Sequence, residues 1–442
     1  MNAFAESDRR VVITGMGILS SAGIGCEEFW ANLSSGVSGI KPFELLSGTA
    51  CPGDIGGEVS GFNKDTIKKQ FFTEKEQRKS LKVMCREIQL GAASALMAFE
   101  HAGLSREGMD SQRIGIDFGA GLMCSPPDDL QAGCFNCLDD SPEHKFQYDR
   151  WGTDGLSKMD PLWLLRYLPN MPACHIAIFL DARGPSNSLT EDEASGNLAI
   201  AEACRIILRG SAEVMLTGST GTFVHPVRSM HAALHDPLAP DEGDPATRSR
   251  PFDSLRSGMV PAEGACTLIL EEEEHAKARG ATIYGRILGT GASCTQNKTS
   301  PRTGNIEDAT ANAIRMALGK AGLQADEIGH INANGRGTPT EDLAEAKGLH
   351  KALGSYGAEV PVTALKSFTG NSGAGCATQE LSASLLGLKD GVIPYTLNCE
   401  TPDPECNLKI VTGEPQKTDN KIFVNVNTTR IGQSAAVVVQ GV

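Results

Sequence analysis

A short signature, Ala-Gly-Leu, occurs at 102–104 and again 219 residues later at 321–323, about half of the 442-residue chain apart. Each copy follows an apolar-periodic stretch (Ala95-Leu96 in one, Ala313-Ile314 in the other) and precedes an Ile-Gly pair, Ile114-Gly115 and Ile328-Gly329. A glycine-closed helix leading into a short strand therefore stands at the same place in each half. Three matching residues are a weak signal, but an offset of half the length points to duplication. Strands alternating with helices make each half an α/β unit.

The rest of the chain fits such units. Arg10-Val11-Val12-Ile13-Thr14-Gly15 reads as a buried strand and turn. The spacing predicts a long helix over 73–104 and another through Leu198, Ile200, Ala203, Ile206 and Ile207, closed by Gly210. Strands are predicted at 213–216 and 265–271, a Pro- and Asp-rich loop at 236–250, and a final hairpin from 423–426 and 435–439. Residues 124–150 read as a solvated loop insertion.

Composition excludes several classes. With 40 Lys+Arg against 54 Asp+Glu the net charge is −14, and aromatics are 5%, a poor basis for nucleic-acid binding. The apolar runs are too short for a membrane span. Residues 1–10 have no apolar signal region, so a cytoplasmic location with reduced thiols is expected. Cys134 and Cys137 form a CxxC with Cys124 and His144 nearby, but no second CxxC completes four zinc ligands, so no metal or other cofactor is expected.

Several stretches resemble the β-ketoacyl-[acyl carrier protein] synthases, specifically the elongating type-II enzymes and their relatives. They are Val11–Gly17, Glu74–Lys79, Arg183-Gly184-Pro185-Ser186, Arg250-Pro251-Phe252-Asp253, Glu263-Gly264-Ala265, Asn332-Ala333-Asn334-Gly335 through Asp342 and Glu345, and Lys366-Ser367-Phe368-Thr369-Gly370-Asn371. The resemblance runs from about Arg10 to the C-terminus. It implies the thiolase-like fold, two duplicated αβα halves in a five-layered sandwich, normally dimeric. The halves are expected at 1–255 and 256–442.

The resemblance also shows what the reactive positions ordinarily hold. In the family a helix-N-terminal Cys is acylated, two His assist decarboxylation, and a Lys orders them. Here the nucleophile position holds Glu193, the first histidine position Asn334 and the second Asn371, while Lys366, Asp342 and Glu345 match the family. None of the nine histidines falls on either motif, and Thr429, followed by Arg430, takes the place of a gating Phe. A carboxylate cannot transthioesterify, and Asn cannot exchange a proton near neutral pH. Cys204 reads as a core residue, and Cys376 as packing close to the site.

The replacements suit one another. Glu193 at a helix N-terminus favours a negative charge. Asn334 and Asn371 are expected to donate to it, and Lys366 to supply charge, in a closed polar network. What the resemblance implies is a chain-length-factor-like subunit or pseudoenzyme, homodimeric or paired with an intact ketosynthase. Chain-length factors often carry Gln at the Cys position, so Glu193 is not a direct match. The alternatives are an acyl-thioester enzyme using Glu193 as acid or base, and a purely structural homodimer. Lys75, Arg78, Lys79, Lys82 and Arg86 are expected to share a helix face that docks an acidic acyl carrier protein.

Overall fold

The computed structural model describes residues 4, 7–46, 54–240, 242–298 and 303–442. Ten strands carry the architecture. The first five are β1 (Val11–Ser20), β2 (Ile114–Ala120), β3 (Ser186–Leu189), β4 (Val214–Thr222) and β5 (Glu263–Glu272). The second five are β6 (Gly285–Cys294), β7 (His330–Asn332), β8 (Pro361–Thr363), β9 (Ile422–Thr428) and β10 (Gln433–Gly441).

Both sets have one topology. The first is ordered β3-β2-β4-β5-β1 and the second β8-β7-β9-β10-β6. In each, the second strand pairs parallel with the third and fourth, and the remaining pairs are antiparallel. The sets join through a short antiparallel seam in which Val11, Val12 and Ile13 of β1 face Ile287, Arg286 and Gly285 of β6. The duplication inferred from two tripeptides is thus present strand for strand. β5 completes the first set, so the repeat turns over within 273–284, and the division expected at 255/256 moves there.

Helices complete five layers. α1 (Arg86–His101) covers the outer face of the first set, and α4 (Ile306–Ala321) with α5 (Pro339–Leu353) that of the second. Between the sheets lie α2 (Ser195–Leu208) and α6 (Cys376–Lys389), in mutual contact; α3 (Pro226–His235) stands over one end. Glycine sets the closeness of the outer helices. A Cβ on Gly17 of β1 would stand 2.1 Å from the Ser94 carbonyl oxygen, and one on Gly291 of β6 would stand 2.0 Å from that of Ala313. Gly103 and Gly322, the repeated signature glycines, both take left-handed φ, 64° and 71°.

Two expectations change. The helix predicted over 73–104 is broken: a six-residue helix, Lys75–Ser80, and a turn precede α1, because Met84 and Cys85 are extended. The segment 124–150 is not merely a solvated loop. It contains a helix, Pro127–Asn136, and buries Cys137. Among the described residues no helix is long and apolar enough to cross a membrane.

One buried acid stands outside any network. Asp117 on β2 is fully buried, and neither carboxylate oxygen has a hydrogen-bond partner among the described residues. Burial, reinforced by Glu202 and opposed by Arg205, pushes its pKa up to about 8. The unfolded chain releases this proton above its ordinary value of 3.8, so the folded state loses stability as pH rises from there to about 8. Asp117→Asn should therefore raise the melting temperature more at pH 8 than at pH 5. Equal gains at both would contradict the assignment.

Candidate functional site

Glu193 lies in a 3₁₀ turn, Asp192–Ala194, that runs directly into α2. Its side chain is 2% exposed. A buried carboxylate needs partners, and it has two from the second repeat. Asn371 Nδ2 donates to Oε1 at 3.0 Å, and the Arg336 guanidinium Nε stands 3.1 Å from the same oxygen. Burial raises the Glu193 pKa, but Arg336, the Asn371 hydrogen bond and Lys366 outweigh it and hold the carboxyl below its usual range. Glu193 is an ionised, clamped group.

Arg336 is the hub that sequence reasoning missed. Besides Glu193 it pairs with Glu341 at 2.8 Å and Asp236 at 3.2 Å, so one guanidinium joins both repeats. A signal was present in the chain. Gly335-Arg336-Gly337 lies inside the motif loop, and both glycines take left-handed φ (44° and 77°), turning the loop so that Arg336 is buried. An unpaired buried Glu193 would itself have demanded a cation nearby.

The predicted residues divide into two clusters. Asn371 joins Glu193 as expected. Asn334 does not: its Oδ1 accepts from Lys366 at 2.9 Å and from Asn427 at 3.2 Å, and its Nδ2 donates to the Thr428 carbonyl at 3.1 Å. The physical reason is the Lys366 ammonium, which claims the Asn334 oxygens and turns the amide away from Glu193. Lys366 pairs directly with Glu380 at 2.7 Å and reaches Glu193 only through its field. Asn427 closes this cluster onto Glu380 at 2.7 Å and receives a bond from Asn197 of α2 at 2.8 Å. Glu345 accepts from the backbone N–H groups of Asn334 (2.7 Å) and Gly335 (2.9 Å), and Asp342 from those of Phe252 (2.9 Å) and Gly337 (3.1 Å). These two carboxylates hold the backbone of the loop.

Cys376 and Cys204 stand apart from nucleophilic chemistry. Cys376 Sγ lies 3.3 Å from Asn371 Oδ1, and burial pushes its pKa up to about 11, so it is a protonated donor. Cys204 is wholly buried in the core. His330 is stacked on Phe423 with its Nε2 on Ser384, and burial pushes its pKa down to about 3. Among the described residues no cluster of His, Cys, Asp and Glu has metal-holding geometry.

A cavity of about 420 Å³ opens beside Glu193, lined among others by Asp192, Arg228, His231, Thr429, Arg430 and Ile431. Thr429 and Arg430, expected as gating residues, both lie on its wall. Asp192 takes a left-handed φ of 43°, which Gly373 accommodates: a Cβ there would meet Asp192 Oδ1 at 2.7 Å. The Asp192 side chain is 45% exposed, but the burial of its Oδ1, then the charge of Glu193, raises its pKa. Two adjacent carboxyls are therefore split, one ionised and one that holds its proton up to near neutrality.

Of the predicted basic face, Lys75, Arg78, Lys79 and Lys82 are exposed. Arg86 is not part of it; the break before α1 turns it inward onto the buried Glu263.

Comparison with known proteins agrees with this geometry. The beta-ketoacyl synthase N-terminal domain matches residues 8–276 and its C-terminal domain residues 284–400. A 3-oxoacyl-[acyl-carrier-protein] synthase 2 of Synechocystis is 32% identical over 406 residues, covering 92% of each chain. The ishigamide ketosynthase/chain length factor superposes with a TM-score of 0.82 at 28% identity, covering 98% of this chain and 99% of that one. A type II polyketide synthase acyl-carrier protein in complex with its ketosynthase, AntDE:AntF, gives 0.79 at 25%, with coverage of 98% and 99%. With matched domains over most of its length and the duplicated topology behind them, this chain belongs to the beta-ketoacyl synthase family.

Proposed function

We propose that this chain is a non-condensing ketosynthase-family subunit of fatty-acid or polyketide biosynthesis, acting as a chain-length-factor-like partner of an intact ketosynthase. The observation that carries the reading is the state of Glu193. At the helix start where the family places its nucleophile stands a carboxylate already held by Arg336 and Asn371. It has no thiol to acylate, and Cys376, beside it, is protonated. Asn334 and Asn371 offer amides where proton-exchanging imidazoles are needed. The exposed Lys75, Arg78, Lys79 and Lys82 suit an acidic carrier protein, whose approach such a patch accelerates.

Glu193 as a general acid or base is the weaker reading, because its carboxylate, although it lines the cavity, is already held by Arg336 and Asn371. Turnover abolished by Glu193→Gln would revive it. A purely structural homodimer is the third reading, favoured if neither carrier protein nor ketosynthase is recovered with the chain.

The test is purification from the native cell, followed by assay with malonyl carrier protein, with and without the co-purified partner. The expected result is no β-ketoacyl product from the isolated chain and product from the pair. Robust condensation by the isolated chain overturns the proposal.

A further inference from the structure

At the end of α2 opposite Glu193 lies a second cavity, of about 310 Å³. The fourteen residues of α2 separate the two by about 21 Å at 1.5 Å per residue. This cavity sits on the seam between the repeats, where β1 begins, β6 begins, and the C-terminal ends of α2 and α4 meet. Its polar lining is cationic: Arg9, Arg10, Arg286 and Lys320.

Among the described residues, and leaving aside Lys320, which has an interaction of its own, the local charges do not cancel. Two carboxylates serve the arginines. Glu213 takes Arg9 and is shared with Arg113, and Glu273 takes Arg286 and is shared with Lys277 and, at 3.6 Å, Arg10. Arg9 and Arg286 each place only Nη2 on a carboxylate, so among the described residues their Nη1 groups have no partner. Among the described residues the Arg10 side chain has no hydrogen-bond partner, and it is 64% exposed.

Neutralising the helix C-termini does not account for this excess. The closing carbonyls already have donors: Ser7 Oγ to Leu208 O at 3.0 Å, Arg113 Nη1 to Gly210 O at 2.7 Å, and Leu323 N to Leu318 O at 3.1 Å. Around the cations, Val11, Leu208, Ile287 and Leu288 form an apolar wall.

We propose that this seam cavity binds a phosphate anion carrying two or more negative charges, such as a diphosphate group. Guanidinium forks match phosphate oxygens in pairs, and a polyvalent anion gains from several cations at once where chloride does not. The ligand would bridge β1 of one repeat and β6 of the other. The inference is independent of whether the chain condenses.

The test is isothermal titration calorimetry of the full chain with sodium pyrophosphate, at ionic strength held constant with sodium chloride. Saturable one-to-one binding is expected in the wild type. An Arg10→Gln/Arg286→Gln variant should bind at least about tenfold more weakly, since each lost charge-assisted bond weakens binding severalfold. A Lys409→Gln/Lys417→Gln variant, altered on a different surface, should keep the wild-type affinity. Arg10→Gln alone guards against misfolding, because among the described residues the one ion pair of that side chain is with Glu273, at 3.6 Å; circular dichroism should match the wild type while affinity falls. Absence of saturable binding, equal affinity in the Arg10→Gln/Arg286→Gln variant, or equal loss in the lysine variant overturns the proposal.

Discussion

Glu193→Ala should lower the stability of the folded chain by about 3 kcal/mol, the lower part of the range for breaking a buried ion pair by removing one partner. The lower part applies because Arg336 keeps Glu341 and Asp236. What it loses is the anion at 3.1 Å from Nε, and Asn371 loses the acceptor at 3.0 Å from Nδ2. Glu193→Gln retains an acceptor oxygen in the same place and should lose less, about 1.5–3 kcal/mol for a charged hydrogen bond made neutral. Urea or thermal unfolding at pH 7 reads both. An unchanged midpoint for Glu193→Ala would mean that the residue is only tolerated there.

The same clamp has a pH signature. The folded pKa of Glu193 is depressed below its ordinary value of 4.5. Its contribution is therefore fully present above that value and is lost as the pH falls below it, through the folded pKa. Glu193→Ala should remove that part of the acid sensitivity. Asp192 and Asp117, with raised pKa values, act in the opposite direction at higher pH.

Lys366→Met should be at least as damaging, by about 3–5 kcal/mol, because it strands a buried carboxylate. Lys366 and Glu380 are 1% and 2% exposed and stand 2.7 Å apart. Without the ammonium, Glu380 keeps the Asn427 amide among the described residues, the Asn334 carbonyl oxygen loses its Lys366 donor, and Asn334 Oδ1 is left with Asn427. Lys366→Met/Glu380→Gln removes the orphaned charge and should recover a substantial part of the loss. If Lys366→Met is as stable as the wild type, or the double variant is worse than the single, the pair does not support this cluster.

Much of the fold was legible in the chain itself. The two Ala-Gly-Leu signatures announced a duplication that the strand orders repeat exactly in sense and pairing. The helix through Leu198 to Ile207, the strands around 214 and 265 and the closing hairpin follow from apolar periodicity, and each is present. Local propensity fails at 73–104, where Met84 and Cys85 extend and break the predicted helix. A periodicity reading sees only the continuing apolar face.

The site was legible position by position but not as a network. The resemblance set Glu193, Asn334 and Asn371 as the candidate positions. It could not say which amide meets which charge. Residues 193, 236, 336 and 371 are brought together by four separate segments, and no local pattern encodes contacts between segments so far apart. Tertiary structure decided that Arg336 rather than Lys366 neutralises Glu193, and that Asn334 turns toward the ammonium. The reason is the desolvation of buried charge: once the fold removes water, each ion takes the nearest group that can compensate it, and only the folded chain determines which group is nearest.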